Sequence, residues 1–187
     1  SIMESKPPKR RTQSKASPSR TTAATSGPDI VQILSVVPTP VMAIDTEFNV
    51  TYLNGAGAAA VGKSPEECVG KKCYDLFETP HCNTGECRCA RALKDGDTHT
   101  GDTVANLPSG ELPIRYTGGP LKDDQGNLVG AVEFVLDISK ESEITEGLGE
   151  LVKSAVDGQL DARADADQYE GNYHKIVSGV NSLIDAF

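Results

Sequence analysis

One short segment of the chain concentrates the side chains that bind metals or undergo redox chemistry. It holds four of the five cysteines and one histidine, namely Cys73, His81, Cys82, Cys87 and Cys89. Four thiolates can hold an iron–sulfur cluster, and three thiolates with a histidine can hold zinc. Two of the thiols, most simply Cys82 and Cys87, could instead form a reversible disulfide. We expect a metal or redox role here, with a cluster or a disulfide ranked equally and zinc below them, because a closed structural zinc site does not sense.

Other readings of these residues stay open. Cys68 stands apart on an amphipathic segment and is expected to be a small buried hydrophobic residue; the remaining cysteines could also be incidental. Haem ranks low, because no Cys-x-x-Cys-His string occurs and His99, the one strand histidine, has polar neighbours. An odd number of cysteines without a signal peptide argues against a secreted disulfide framework and indicates a reducing compartment. We therefore expect a cytoplasmic location.

Charge divides the chain into two parts. Residues 1–30 carry a net charge of +4 and the remainder −13, which gives −9 overall. The acidic part disfavours nucleic acid as a partner. Residues 1–28 are rich in Ser, Thr, Pro, Lys and Arg, which predicts a disordered basic linker. Its positive charge could bring it close to an anionic membrane surface. No apolar segment is long enough to cross a membrane, although the chain could be the cytoplasmic part of a membrane receptor.

The elements that must position the cysteines follow from hydrophobic periodicity and turn residues. After a short helix at 29–37, two strands form a hairpin, small helices follow, and three strands end the pattern. The predicted strands are 41–45, 50–53, 98–106, 111–121 and 128–138, and the predicted helices between them include 55–61, 73–77 and 87–94. Asn54 is the predicted N-cap of the helix at 55–61. This order predicts an α+β fold with a five-stranded antiparallel sheet and helices on one face.

The order of elements, with several local strings, resembles the PAS sensor domain over residues 29–140. The strings are Pro-Thr-Pro-Val-Met-Ala-Ile-Asp at 38–45, Tyr-Leu-Asn at 52–54, Val-Gly-Lys-Lys at 69–72 before Tyr-Asp-Leu-Phe at 74–77, and Leu-Asp-Ile-Ser at 136–139. The resemblance implies that Asp137 joins the core to an output helix. Arg115 and Tyr116 alternate in direction on a strand, so we expect one of them to face the cleft and hold an anionic ligand.

Residues 141–187 show a different pattern, with two apolar seams at coiled-coil spacing. The first comprises Ile144, Leu148, Leu151 and Ala155, and the second Tyr173, Ile176, Val180, Leu183 and Phe187. One helix pair cannot bury two seams, whereas a parallel homodimer forming a four-helix bundle can. The connector string Gly-Gln-Leu-Asp-Ala-Arg at 158–163 resembles the HAMP relay module. The resemblance implies signal-relay roles for Gly158 and Leu160.

The sequence therefore predicts a sensory protein in which a PAS domain detects a redox, metal or small-molecule cue. A dimeric HAMP module would pass the signal to an output domain, as in methyl-accepting chemotaxis receptors or related sensor kinases. No phosphate-binding loop, Gly-x-Ser-x-Gly or His-Glu-x-x-His motif is present, so we expect no enzymatic activity. The alternative is a ligand-free PAS dimerisation scaffold.

Overall fold

The computed structural model describes residues 29–186, so the predicted basic linker at 1–28 lies outside the described residues. A five-stranded sheet and seven helices make up this part of the chain. The strands are β1 (Val41–Asp45), β2 (Val50–Leu53), β3 (His99–Leu107), β4 (Gly110–Lys122) and β5 (Leu128–Asp137). The helices are α1 (Ile30–Ser35), α2 (Gly55–Ala60), α3 (Pro65–Cys68), α4 (Cys73–Leu76), α5 (Arg88–Asp95), α6 (Ser139–Val156) and α7 (Gly171–Ile184).

All strand pairs are antiparallel, in the order β2-β1-β5-β4-β3. Two of the connecting turns are built alike, each closed by an Asp that accepts hydrogen bonds from the Asn four residues later. In one turn the pair is Asp45 with Asn49, and in the other it is Asp123 with Asn127. The predicted five-stranded antiparallel sheet is confirmed, and each predicted strand end lies within one residue of the observed end.

Asn54 fixes the junction between the first hairpin and α2. Its side chain is 2% exposed and accepts hydrogen bonds from the backbone N–H of Val41 and of Gly57, each at 3.0 Å. The amide group donates to three carbonyl groups, those of Leu34, Val37 and Thr39. The predicted helix cap is confirmed, and the same residue also secures the chain that precedes β1.

The first turn of α5 packs directly on the sheet because one strand residue there has no side chain. A Cβ atom at Gly118 would lie 2.7 Å from the backbone carbonyl carbon of Arg88 and from the backbone nitrogen of Cys89. Only glycine permits this approach. Cys87, at the N-cap of α5, and Cys89 are therefore held against β4 and β5.

Helices α6 and α7 lie side by side and parallel. The C-terminal turn of α6 and that of α7 border one apolar groove of about 430 Å³. The connector returns along α7 in the opposite direction, since Arg163 pairs with Asp185 and Ala164 bonds to Asn181. Gly158 (φ +82°) ends α6 in a left-handed conformation, and the N–H of Gln159 bonds to the carbonyl of Ser154 to close a Schellman motif.

In the single chain, α7 packs through a stripe that adjoins the predicted second seam. Tyr173, Ile176 and Leu183 are exposed at 36%, 49% and 61%, whereas Val177 and Ile184 are buried. The packed face therefore lies one residue away from the predicted seam, and α7 carries a second apolar stripe without a described partner in residues 29–186. Phe187, the last residue of the predicted seam, lies outside the described residues.

Candidate functional site

A cavity of about 60 Å³ lies between the sheet and the helices, and the four predicted thiols all line it. Cys73 comes from the first turn of α4, Cys82 from the following loop, and Cys87 and Cys89 from the start of α5. The sheet closes the opposite side with inward-facing residues of β1, β4 and β5. The fold therefore brings together the cysteines that the sequence singled out. Cys68 is not among them and is 0% exposed, which confirms its prediction as a small buried residue.

Three of these thiols also line a second space on the outer side of the helices. This cleft has a volume of about 250 Å³, and Cys73, Cys82 and Cys87 border it as well as the inner cavity. Phe48 and Tyr74 form part of its walls. The three thiols thus lie between the two spaces, and the exposed residues Asn83 and Thr84 border the second one, so that a reagent from solvent would meet the thiols there.

The thiols make separate hydrogen bonds within the site. Cys82 Sγ donates to the Phe77 carbonyl at 3.2 Å and contacts Thr79 Oγ1 at 3.4 Å, and Cys89 Sγ donates to Glu133 Oε2 at 3.1 Å. All five cysteines are free thiols. Within residues 29–186, no three His, Cys, Asp or Glu side chains are arranged to hold a metal ion. The four thiols are neighbours in the cavity wall, and the iron–sulfur or zinc site stays a prediction.

His81 is turned toward a tyrosine instead of toward the thiols. Its Nδ1 lies 2.9 Å from the hydroxyl of Tyr116, and the backbone N–H of Arg88 donates to the same hydroxyl at 3.2 Å. Burial and the nearby Arg88 lower the pKa of His81. His81 thus helps to hold the loop before α5 against β4, and the expected pairing of His81 with the cysteines as a metal ligand is not seen.

Arg115 and Tyr116 are neighbours on β4 and face opposite sides of the sheet, as alternation along a strand requires. Tyr116 is 5% exposed and lines the inner cavity. Arg115 lies on the other face, where it binds Asp102 and Glu141. The expectation that one of the pair faces the cleft is met by Tyr116. Arg115 does not reach the cavity, so its predicted role in holding an anionic ligand there is wrong.

Glu133 is the residue of this site that the sequence reasoning missed. Its carboxyl group borders the cavity deep inside the protein, although the residue as a whole is half-buried. Burial raises the pKa of this carboxyl group to about 7, with the Cys89 hydrogen bond acting weakly in the opposite direction. A signal was present in the sequence, because Glu133 interrupts an otherwise apolar strand. It lies two residues from Ala131 and from Val135, which face inward, so alternation along the strand places it on the same side of the sheet.

Burial also changes the thiols. It raises the pKa of Cys73 to about 12 and raises the pKa of Cys87 and of Cys89, with the nearby Glu133 carboxylate acting in the same direction. Because the thiolate is the reactive form of cysteine, these three thiols are held in their protonated, poorly nucleophilic form at neutral pH.

The strand that carries Glu133 leads directly into α6. Asp137, the last residue of β5, accepts hydrogen bonds from the backbone N–H and the hydroxyl of Ser139, the first residue of α6. Farther along, Leu160 lies in the groove between α6 and α7, just after the turn formed by Gly158. The three predicted relay residues therefore lie at the start of α6, at its end, and in the connector.

A family model described as PAS fold matches residues 34–143 of the chain. Similar solved structures include VqmA of Vibrio cholerae, with 19% identity and a TM-score of 0.52, over 63% of this chain and 54% of that one. A PAS domain from a Colwellia psychrerythraea protein is also similar, with 19% identity and a TM-score of 0.50, over 57% of this chain and 91% of that one.

VqmA has been described as a dimer with a target DNA, and also bound to DPO. The chain spans about half the length of VqmA, and at this identity the likeness shows the fold alone. No curated protein matches the chain. In the part of the chain that the structure describes, no helix has the length and apolar character required to cross a membrane. The match over residues 34–143, together with the order of the five strands, shows that the chain belongs to the PAS family.

Proposed function

We propose that the chain is a cytoplasmic, non-enzymatic signalling protein whose PAS domain responds to a redox cue through the thiols of its cavity. The observation that carries the proposal is that Cys73, Cys82 and Cys87 line both the inner cavity and the outer cleft. A peroxide that enters the cleft from solvent would oxidise the Cys82 thiol to a sulfenic acid and leave as water or alcohol. The Cys87 thiol would then displace water from that sulfenic acid, and the resulting disulfide would change the packing of α5 against the sheet. A reversible disulfide between Cys82 and Cys87 is the state that we propose.

The relay would run through β5 into α6. Glu133 accepts a hydrogen bond from Cys89 of α5, and Asp137, four residues later on the same strand, binds the first residue of α6. A shift of α5 therefore acts on the strand that continues into the output helix. A change of a few kcal/mol between two states is enough for such a switch, and a disulfide can supply it.

We further propose that α6 and α7 form a HAMP-like relay that pairs with a second copy of the chain. The parallel arrangement of the two helices, with a connector running back along α7, supports this proposal. So do the exposed apolar side chains of Val152, Ile176 and Leu183. Pairing would bury these side chains at the centre of a four-helix bundle. The signal would then pass to a chemotaxis or kinase output domain.

Hydrogen exchange of reduced and oxidised protein tests the proposal. We expect oxidation to consume Cys82 and Cys87, identified by peptide mass spectrometry, and to change the exchange rates of amides in α5 and in the first turns of α6. Cys82→Ser and Cys87→Ser should abolish both effects. Cys68→Ala is the control that removes a thiol outside both spaces, and it should leave both effects intact, because Cys68 borders neither space and packs in the apolar core.

A second experiment separates the alternatives. If iron and sulfide were both found in stoichiometric amounts after anaerobic purification, the site would hold an iron–sulfur cluster instead of a disulfide. Should all five thiols react equally with and without oxidant, in a colourless and metal-free protein, the thiol switch is refuted. A ligand-free dimerisation scaffold would then be the better description.

A further inference from the structure

Among residues 29–186, Glu133 presents a carboxyl group inside the protein with no basic side chain paired to it. The ion pairs among residues 29–186 involve Glu86, Asp95, Asp102, Glu141 and Asp185 as their acids, and Glu133 takes part in none of them. Burying a carboxylate without a counter-ion is costly, so buried acids in proteins are normally paired or protonated. Without a partner among residues 29–186, the Glu133 carboxyl group is either protonated or available to a cation from outside this part of the chain.

One oxygen of this carboxyl group remains available for a ligand. Oε2 accepts the hydrogen bond from Cys89, whereas Oε1 accepts none from the described residues. Two side-chain atoms of the described residues, Tyr52 Oη and Arg88 Nε, are sealed from solvent without a hydrogen-bond partner. Oε1 is not one of them. The Glu133 side chain borders the cavity, so that a molecule in this space meets an unused acceptor.

The rest of the cavity wall selects for an apolar body. Met42, Ala105, Leu112, Ile114 and Val135 supply much of the lining, and the Tyr116 hydroxyl is already engaged by His81 and Arg88. The volume of about 60 Å³ gives room for about four water-sized groups. A ligand that fits would combine one cationic donor with a short hydrocarbon chain.

We propose that the cavity binds a small primary alkylammonium ion, with Glu133 Oε1 as the acceptor for its ammonium group. The proposal does not depend on the thiol chemistry proposed above, since it requires neither oxidation nor a metal. It also gives the ligand a direct connection to the output helix, because Glu133 and Asp137 belong to the same strand. An ammonium group would hold the carboxylate charged and oriented toward the cavity, and so would fix β5 where it approaches α6.

Titration calorimetry of the full chain with ethyl-, propyl- and butylammonium chloride tests the proposal. Propanol, which has the same chain without the charge, and sodium chloride, which has the charge without the chain, serve as ligand controls. We expect propylammonium to bind at least about tenfold more tightly than propanol, a difference of about 1.4 kcal/mol. Glu133→Gln should remove this preference. Glu111→Gln, at an exposed position on β4, should keep it.

The unaltered protein alone can overturn the proposal, so the test remains decisive even if Glu133→Gln does not fold. Equal binding of propylammonium and propanol, or the absence of binding by every amine, refutes it. Unchanged amine binding in folded Glu133→Gln would refute it as well. None of these results alters the oxidation of Cys82 and Cys87, so failure here leaves the proposed thiol switch to be judged by its own experiment.

Discussion

The carboxylate of Glu141 lies 3.3 Å from the guanidinium group of Arg115, which ties the first turn of α6 to the middle of β4. Arg115 is itself held by Asp102 of β3 through two hydrogen bonds of 2.8 Å. The strand pair therefore presents Arg115 to the helix in a fixed position, and Glu141 is the member of the group that moves with α6. This contact and the Asp137–Ser139 bonds attach α6 to the sheet.

We predict that Glu141→Gln loosens the start of α6 without unfolding the domain. An exposed ion pair contributes about 0.2–1 kcal/mol, so amide exchange in the first two turns of α6 should accelerate by up to about fivefold, as 1 kcal/mol implies. Raising the salt concentration should reduce the difference between variant and wild type. Glu150→Gln, on an exposed part of the same helix, should leave these rates unchanged. Identical exchange in both variants would show that the pair does not hold α6.

Asn54 is expected to be one of the most sensitive positions for stability. Asn54→Ala removes a buried side chain that satisfies two N–H groups and contacts three carbonyl groups, so it leaves several backbone groups unpaired. We expect a loss of roughly 2–4 kcal/mol in the free energy of unfolding, measured by urea denaturation. Asn54→Asp should not restore stability, because a carboxylate keeps the acceptors but faces the carbonyl oxygens. Asn106→Ala, at an exposed strand position, should cost little.

The sequence predicted the sheet and the helix cap at Asn54 because both depend on local patterns: alternation along strands, turn residues, and a capping side chain before a helix. It also predicted that the cysteines would be neighbours. It did not predict which way Arg115 and Tyr116 point, because alternation gives two phases and only packing against α5 chooses between them. The stripe through which α7 packs within the chain was not predicted either, because Val177 and Ile184 have the same heptad spacing as the predicted seam.

Glu133 should make stability depend on pH in a direction opposite to that of most acids. Its pKa is raised from 4.5 to about 7 in the folded protein, so the folded state binds the proton more tightly than the unfolded state. Stability is therefore greatest below the unfolded pKa and falls as the pH rises through the folded pKa. Between about pH 4.5 and pH 7.5, wild type should therefore lose about 1–3 kcal/mol of unfolding free energy relative to Glu133→Gln.

The groups that face Glu133 do not titrate in this range. They are the thiols of Cys73, Cys87 and Cys89 and the hydroxyl of Tyr116, all of which have a raised pKa. His81 has a lowered pKa, and its contribution cancels in the comparison with Glu133→Gln because both proteins retain it. Urea denaturation at several pH values measures the difference. A difference that is constant across the range would mean that the carboxyl group is solvated in the folded protein.

The last prediction distinguishes the exposed apolar stripe of α7 from the packed face between α6 and α7. Leu183 is exposed in the single chain, whereas Leu151 of α6 is 5% exposed. If a second copy covers the outer stripe, Leu183→Asp should convert a dimer to a monomer in sedimentation equilibrium. The helical content should change little, because Leu183 is 61% exposed in the single chain. Leu151→Asp should instead reduce helicity, since it places a charge where α6 is packed. Ser182→Asp adds the same charge at the neighbouring exposed position and should leave the dimer intact. A dimer that survives Leu183→Asp would place the interface elsewhere, with the exposed apolar face of α1 as the next candidate.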